Sequence, residues 1–412
     1  MEFKHVTQRS HNDFLFVLLG FALHQSTVIK GINFSFSDFV VILIVSQIVF
    51  LKQSFKLKKI ELFFIISLIV YRLIITFYFI IFKNDFIFDF NDIMSNFFKF
   101  VIVCFYFLIA NVLFYKQQAL ISLIKSFVIT SSIIGFLCIL ASLIKISFLK
   151  QILFFDEIRA QGLMNDPNYF ALLQLSALVL LMTLSKESLI KYLTAFVLIG
   201  SIFTSGSKTA LLILIFISLA YLIFNMFSSK NGKFIVSSLV TILISIFSFT
   251  YLYIYTSMFE KILAIPSINR MLSVFVEKSQ ALNEGGSTRT LVWENGIDII
   301  IYSKTLGIGF VEFTKVGQIL NGISLVSHNT YIQILSEWGL FFGLIYFGFL
   351  IFLFLTSIKR YTYKNGVIFY LMLTFLLYFI SVSFINSRFV ALSLAIIWLI
   401  SNKSFMRDGA RA

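Results

Sequence analysis

Four short polar segments stand out in this chain because their residue types could bind an anion and move a proton. In chain order they are RAQGLMNDPNYFA, TSGSKTALL, STRTLVWENGIDII and SHNTYIQILSEWGLFFG. Arginine and lysine are the usual side-chain partners of phosphate, and arginine can bind it through two parallel hydrogen bonds. Histidine is the side chain best suited to proton transfer near neutral pH. The four segments therefore carry the candidate functional residues.

Three cations in these segments can be interpreted either as ordinary surface residues or as functional residues. Lys208 opens an apolar run, so it is either a lysine that snorkels to the membrane surface or a phosphate contact. Arg159 and Arg289 are either solvated loop arginines or bidentate phosphate ligands. Asn168 ends the NDPN sequence beside Arg159 and is a further candidate site residue.

The fourth segment predicts a helix that carries polar groups into an apolar region. We expect Asn329 to cap a helix beginning at Thr330. Thr330, Gln333 and Glu337 are spaced i, i+3 and i+7 and share one face, with Glu337 about 12 Å along the helix from the cap. His328 is either an interfacial histidine bonded to backbone or a general base, and Glu337 is an alternative base.

Other polar features point to structural roles or exclude classes of enzyme. Arg72, in IVYRLII, predicts a charge pair with a neighbouring helix, and the GIG sequence at 307–309 predicts a turn. Cys104 and Cys138 lie in apolar runs and predict no disulfide or metal site. The chain has no DxD, P-loop, GxSxG or metal-ligand spacing, which argues against metal-dependent and nucleotide-hydrolysing enzymes and predicts no cofactor.

The elements that hold these segments are predicted to be membrane helices. The chain has 412 residues, of which 59% are hydrophobic and 18% aromatic, and only 2 are proline, so it is an all-α integral membrane protein by composition. A span needs about 20 apolar residues. Such runs predict about twelve transmembrane helices, at 14–29, 37–51, 61–82, 96–115, 119–144, 168–185, 189–204, 209–228, 234–257, 330–357, 366–385 and 388–402.

The charge pattern predicts the orientation. The formal net charge is +14, and the lysines and arginines concentrate at the ends of the apolar runs. This bias favours cytoplasmic N- and C-termini. Nucleic-acid binding is disfavoured, since no basic stripe with interleaved aromatic residues lies on a soluble domain. The polar start of the chain and the lack of a small-residue cleavage site predict no cleaved signal peptide.

One long connection divides the predicted chain into three parts. Residues 1–257 contain the first nine helices, residues 258–329 form a large loop on the outer side, and residues 330–412 contain the last three helices and a cytoplasmic tail. Amphipathic stretches in the loop predict short helices rather than disorder. All four polar segments fall at outer helix ends or in this loop.

In their order and placement around one large outer loop, the four segments resemble the O-antigen ligase/polymerase superfamily of bacterial envelopes. The resemblance covers about residues 159–343. It implies a GT-C-like membrane fold in the bacterial inner membrane, a periplasmic loop and a periplasmic active site. It also implies a metal-independent glycosyltransferase that uses undecaprenyl-diphosphate-linked oligosaccharides as donor and acceptor. A chain-length regulator, a flippase and the lipid bilayer are the implied partners.

The resemblance also implies roles for individual residues. Arg159, Lys208 and Arg289 would bind the diphosphate, and His328 would activate or orient the acceptor hydroxyl. Lys208 departs from the family, which often has arginine there; lysine keeps the charge and loses the two-pronged geometry.

Three functions follow as hypotheses. The first is an O-antigen polymerase (Wzy type) that joins lipid-linked repeat units, favoured by the Phe- and Ile-rich composition and the NDPN variant. The second is an O-antigen ligase (WaaL type) that transfers the glycan to lipid A-core. A polysaccharide transporter or flippase is the alternative from another class, and it predicts duplicated halves and short outer loops that the sequence lacks.

Overall fold

The computed structural model is almost entirely helical in the residues that it describes. These are residues 13–29, 34–50, 59–82, 89–115, 117–144, 146–184, 188–228, 265–276, 289–361 and 366–401. Up to residue 160 the elements are α1 (Asp13–Ala22), β1 (Thr27–Ile29), β2 (Phe34–Ser35), α2 (Phe36–Phe50), α3 (Lys59–Phe82), α4 (Phe90–Tyr115), α5 (Gln117–Ile144), α6 (Ser147–Leu153), β3 (Phe154–Phe155) and β4 (Arg159–Ala160). They continue with α7 (Pro167–Leu181), α8 (Leu189–Ser205), α9 (Lys208–Ser228), α10 (Pro266–Val276), α11 (Arg289–Tyr302), α12 (Phe313–Asn321), α13 (Thr330–Lys359), α14 (Val367–Phe379) and α15 (Arg388–Ser401).

The structure confirms a helical membrane protein. Eleven of the twelve predicted spans coincide with helices, and the span at 234–257 lies outside the described residues. In the described part of the chain, four helices are long and apolar enough to cross a bilayer. They are Glu61–Phe82, Phe90–Leu113, Gln117–Ile144 and Thr330–Lys359. The total of twelve crossings, the periplasmic side and the division at residues 257 and 329 stay predictions.

Two helices are shorter than their apolar runs, for different reasons. The first run was expected to be helical over 14–29, but α1 ends at Ala22 and Thr27–Ile29 pairs with Phe34–Ser35 as a small antiparallel ribbon. The run at 366–385 gives a helix that ends at Phe379. Beyond it, the backbone at 382 and 384 bonds to the side chain of Thr330 instead of continuing the helix.

The chain divides into two compact units. The first contains Val128–Leu282 and Ser357–Thr374. Within it α7 packs against α8 and α9, and α10 contacts α8 and α9. The β3–β4 ribbon is part of a core of buried residues, namely Ile134, Cys138, Ala141, Leu153, Phe154, Ala160 and Phe170.

The second unit contains Val6–Phe127, Asn283–Thr356 and Phe375–Ala412. In it α15 packs along α4, and α11 packs against α12. Among the described residues of the predicted loop at 258–329 there are three short helices, as expected from its amphipathic stretches: α11 and α12 belong to this unit and α10 to the first.

A buried ion pair ties the start of α2 to the start of α15 in the second unit. Arg388 donates from Nε and Nη2 to the two carboxylate oxygens of Asp38, at 3.0 and 2.8 Å. Asp38 also accepts hydrogen bonds from the backbone N–H of Ser35 and the hydroxyl of Tyr106, both at 2.8 Å. Only 1% of Asp38 is exposed, so this charge depends on its four donors.

Helix α13 is broken at Gly339, which has φ 74° and ψ 172°. Residues 305–310 (TLGIGF), here called the glycine loop, lie against the break. The N–H groups of Ile308 and Gly309 donate to the carbonyls of Ser336 and Glu337, at 2.8 and 3.1 Å. The N–H of Leu340 donates to the carbonyl of Thr305 at 2.8 Å. The glycine loop therefore satisfies backbone groups that the broken helix leaves open.

Candidate functional site

Arg159 joins three elements of the first unit. It lies in β4, and its Nε donates to the backbone carbonyl of Ser205 at 3.1 Å. Its Nη2 donates to Oδ1 of Asn168 at 3.3 Å. Ser205 is the last residue of α8 and Asn168 lies in the first turn of α7. The guanidinium is therefore held in place by both helices while the side chain stays partly exposed.

Asn168 is positioned by the helix start that the NDPN sequence encodes. Asp166 is the N-cap of α7, and its side chain accepts hydrogen bonds from the N–H groups of Asn168 and Tyr169 at 2.6 and 3.1 Å. Pro167 follows in the first helical position, where its missing N–H costs nothing. Oδ1 of Asn168 also accepts from Oγ of Ser207 at 2.9 Å, so Asn168 bridges Arg159 to the turn before Lys208.

That turn between α8 and α9 needs its glycine. Gly206 ends α8 in a left-handed conformation, φ 60°, and a Cβ there would lie 3.2 Å from the carbonyl oxygen of Ser267. Oγ of Ser207 accepts from the N–H of Ala210 at 3.3 Å and caps α9. Lys208 is therefore the first residue of α9 and is partly exposed.

The first unit thus gathers features that suit an anion. Arg159, Asn168 and the 205–208 turn are linked by hydrogen bonds, and the N-terminus of α9 adds backbone N–H groups beside Lys208. The positioned guanidinium of Arg159, the charge of Lys208 and a helix N-terminus are features that favour binding of a phosphate-like group.

In the second unit the predicted cap of α13 is confirmed. Oδ1 of Asn329 accepts from the N–H groups of Tyr331 and Ile332, at 2.9 and 3.1 Å. Oγ of Ser327 donates to the carbonyl of Asn329 at 3.0 Å and accepts from its N–H at 3.3 Å. Residues 327–329 therefore form a tight turn that is braced at both ends.

His328 sits inside this turn with a left-handed backbone, φ 47°. A residue other than glycine is uncommon in this region and persists only when its surroundings hold it there. The side chain is partly buried. The left-handed backbone at His328 therefore fixes the direction in which its side chain projects.

Arg289 is the first residue of α11 and is partly buried. Its helix is tied to α12, because Nδ2 of Asn321 donates to Oδ1 of Asn295 at 3.0 Å and to Oδ2 of Asp298 at 2.8 Å. The start of α11, and Arg289 with it, thus belongs to a cross-linked helix pair.

Glu337 is fully engaged by neighbouring side chains. Oε2 accepts from Nη2 of Arg72 at 2.8 Å, and Oε1 accepts from Nε2 of Gln333 at 2.6 Å. The expected charge pair of Arg72 with another helix is therefore confirmed, and its partner is Glu337. The role of Glu337 as a base stays a prediction.

The seven predicted site residues fall into two sets. Arg159, Asn168 and Lys208 lie in the first unit, and Arg289, His328, Asn329 and Glu337 lie in the second. Within the first set Arg159 bonds to Asn168 and to the turn before Lys208. Within the second, hydrogen bonds connect Glu337 through Gln333 to Ser327.

Two contributors were missed by sequence reasoning. Ser207 carries the cap of α9 and the bond to Asn168, and the only sequence signal was its place before a helix start. The glycine loop was expected to be only a turn. In the structure, the carbonyl of Gly309 in this loop also accepts a hydrogen bond from Arg72. Two opposite charges in apolar runs, Arg72 and Glu337, were the signal for that contact.

In the described part of the chain, no three histidine, cysteine, aspartate or glutamate side chains are placed to hold a metal ion.

A search of curated proteins finds no match to this chain. A family model described as O-antigen ligase matches residues 193–348. The match includes Lys208, Arg289 and His328 and leaves out Arg159 and Asn168. Residues 193–348 of this membrane protein are therefore similar to the O-antigen ligase family.

Proposed function

We propose that this chain is a surface-polysaccharide polymerase that joins undecaprenyl-diphosphate-linked repeat units at the periplasmic face of the bacterial inner membrane. The family match supports a glycosyltransferase of the ligase/polymerase type, because it covers three of the four polar segments and the helices that position them. The choice of polymerase rests on the sequence resemblance alone. Both termini are cytoplasmic in this proposal, and a chain-length regulator and a flippase work with the enzyme.

The proposed reaction is attack of an acceptor sugar hydroxyl on the anomeric carbon of the donor glycan. The new bond joins that oxygen to the anomeric carbon, and the bond from the anomeric carbon to the diphosphate oxygen breaks with its electron pair. His328 takes the hydroxyl proton, and cations stabilise the leaving diphosphate. The lipid diphosphate supplies the driving force, so the reaction needs no nucleotide. In this proposal protein cations, rather than a metal ion, stabilise the leaving diphosphate.

Arg159 and Lys208 are proposed to bind the diphosphate, supported by the hydrogen-bonded cluster around Asn168. Arg289 is proposed as a further diphosphate ligand on the strength of the sequence resemblance. For Glu337 we propose a structural role in place of the base predicted from the sequence, because both of its oxygens already accept hydrogen bonds from Arg72 and Gln333.

A second candidate, ligation of the finished glycan to lipid A-core, is favoured by the description of the matching family. Both reactions use the same donor and differ in the acceptor. Polysaccharide gels of a deletion strain separate them. Loss of a polymerase leaves core that carries a single repeat unit, whereas loss of a ligase leaves bare core and accumulated lipid-linked polymer.

Variants of the proposed site test the chemistry in the same strain. Arg289→Ala and His328→Ala should abolish polymer at normal protein levels. Arg159→Lys keeps the charge but cannot reach both Ser205 and Asn168. Loss of one charged hydrogen bond, about 1.5–3 kcal/mol, should lower turnover by roughly 10- to 100-fold.

Arg270→Lys is the matched control, since Arg270 is an exposed arginine of the same unit. It should leave the polymer ladder unchanged. Wild-type ladders from both Arg289→Ala and His328→Ala would refute the proposed site.

A further inference from the structure

Arg72 lies deep in the second unit and holds two separate parts of the chain. It is only 2% exposed. Its Nε and Nη2 both donate to the carbonyl of Gly309, at 3.2 and 2.7 Å, and Nη2 also donates to Oε2 of Glu337 at 2.8 Å. The guanidinium carbon lies 4.2 Å from the ring centre of Phe310 and 4.9 Å from that of Phe100. One side chain thus fixes the glycine loop and the first half of α13.

The first half of α13, residues 330–338, depends on these contacts because the helix is interrupted at Gly339. A continuous helix would be held by its own backbone ladder. Here the carbonyls of Ser336 and Glu337 bond to the glycine loop instead. The position of this half-helix is therefore set by the glycine loop and by Arg72 together.

Hydrogen bonds continue from Arg72 to the turn that contains His328. Glu337 accepts from Gln333 at 2.6 Å, and Gln333 Oε1 accepts from Oγ of Ser327 at 3.4 Å, the longest link. Ser327 has one hydroxyl hydrogen, which it shares between Gln333 Oε1 at 3.4 Å and the carbonyl of Asn329 at 3.0 Å. Both residues that flank His328 are thus connected to Arg72 through side chains on one helix face.

A buried charge in an apolar span is costly and marks a function when it persists. Arg72 is almost fully buried, its Nε and Nη2 donate to protein acceptors, and its guanidinium lies against two phenylalanine rings. Its effect on a reaction must then be exerted through the groups that it holds. Arginine suits this task, because its planar fork reaches a carbonyl and a carboxylate at once.

We propose that Arg72 is a positioning residue that orients His328, by fixing Glu337 and the glycine loop against the half-helix 330–338. The importance of His328 rests on the proposed function. The positioning of the 327–329 turn does not, so the two can be tested separately.

The decisive variant is Arg72→Lys, which keeps the positive charge but loses the planar guanidinium that donates to a carbonyl and a carboxylate at once. Purified full-length protein in lipid nanodiscs is assayed with the undecaprenyl-diphosphate-linked repeat unit of its host strain. A misplaced reacting group typically costs about 100-fold, so kcat should fall by roughly that factor while KM stays close to the wild-type value. A rise in KM with unchanged kcat would overturn positioning of a proton-transfer group.

Hydrogen exchange supplies a readout that needs no turnover. Arg72→Lys should speed exchange in residues 305–310 and 327–338 and leave other helices unchanged. Glu61→Gln is the matched control, because Glu61 is a buried carboxylate on the same helix that bonds to Trp398. It should change neither exchange in these segments nor kcat. A rise in exchange over the whole chain would assign Arg72 to global stability and overturn the proposal.

The double variant in which Arg72→Glu is combined with Glu337→Arg separates geometry from charge balance. The positioning proposal predicts that kcat is not restored in the double variant. The arginine then lies on α13, so α3 no longer supplies the hydrogen bonds to the carbonyl of Gly309. Full rescue would show that charge balance is sufficient and would overturn the proposal. If wild type lacks turnover but Arg72→Lys still speeds exchange at 327–338, the proposed function fails and the positioning is supported.

Discussion

Gly309 lies close to the backbone of α3 where the glycine loop supports the half-helix, and Gly309→Ala tests this approach. Its φ is 67°, and an added Cβ would lie 2.4 Å from Oγ1 of Thr76 and 2.5 Å from the carbonyl oxygen of Arg72. The oxygen of Thr76 is held there because it donates to the carbonyl of Arg72 at 2.7 Å and accepts from the N–H of Phe310 at 2.8 Å. Neither neighbour can move without losing a hydrogen bond.

The expected cost has two parts. A left-handed φ costs an alanine about 1–2 kcal/mol, and overpacking costs about 1–3 kcal/mol. Gly309→Ala should therefore destabilise the protein by about 2–5 kcal/mol. Gly348→Ala is the matched control, since Gly348 lies in α13 and an added Cβ would meet no atom within 4 Å. That change should stabilise the helix by up to about 1 kcal/mol.

The assay is the thermal unfolding midpoint of the purified protein in detergent, compared between wild type and the two variants. The reasoning predicts shifts of opposite sign, down for Gly309→Ala and unchanged or up for Gly348→Ala. Equal midpoints for both variants would refute the claim that the glycine loop is packed too closely for a side chain.

Two further predictions concern charged pairs in the second unit. Asp38→Asn should lower the free energy of unfolding by about 3–5 kcal/mol, because Arg388 loses its buried carboxylate partner. The control variant Glu61→Gln should lower it by less. A change below about 1 kcal/mol for Asp38→Asn would contradict this prediction. The hydrogen bond to Asp92 raises the pKa of Lys315 above its ordinary 10.5, so the pair's contribution is complete below that pH and is lost as pH rises through the higher folded value. The difference in the free energy of unfolding between wild type and Lys315→Met should be under about 1 kcal/mol. This difference should be constant from about pH 7 to 9 and disappear only in stronger alkali. Its loss by about pH 8 would contradict the assignment.

Local features of the site were predictable because they depend on neighbours along the chain. The helix starts at Asn329 and at Lys208 follow from a capping side chain or a glycine turn next to an apolar run. The apolar runs themselves located the described helices, since a membrane span needs length and little else.

Long-range features were not predictable from one sequence. Arg72 and Glu337 were each recognised as unusual, but 265 positions separate them, and no local pattern pairs them. The break at Gly339 is hidden for a similar reason, because WGLFFG reads as continuous helix until the glycine loop provides other partners for the backbone. The early end of α1 was missed because the pairing of Thr27–Ile29 with Phe34–Ser35 is not encoded by a local pattern.

The two contacts that fasten the chain to the half-helix 330–338 also define a closed loop. The N–H of Gly309 donates to the carbonyl of Glu337 at 3.1 Å, and the N–H of Gln333 donates to the carbonyl of Asn329 at 3.0 Å. Both ends of the segment 310–328 are therefore anchored to the same short helix. Within that loop Gly322 is exposed, and a Cβ there would meet no atom within 4 Å. The entropy of closing a loop grows slowly, by about 0.6 kcal/mol for each doubling of its length. Residues added after Gly322 should therefore cost little stability while both ends of the loop stay anchored.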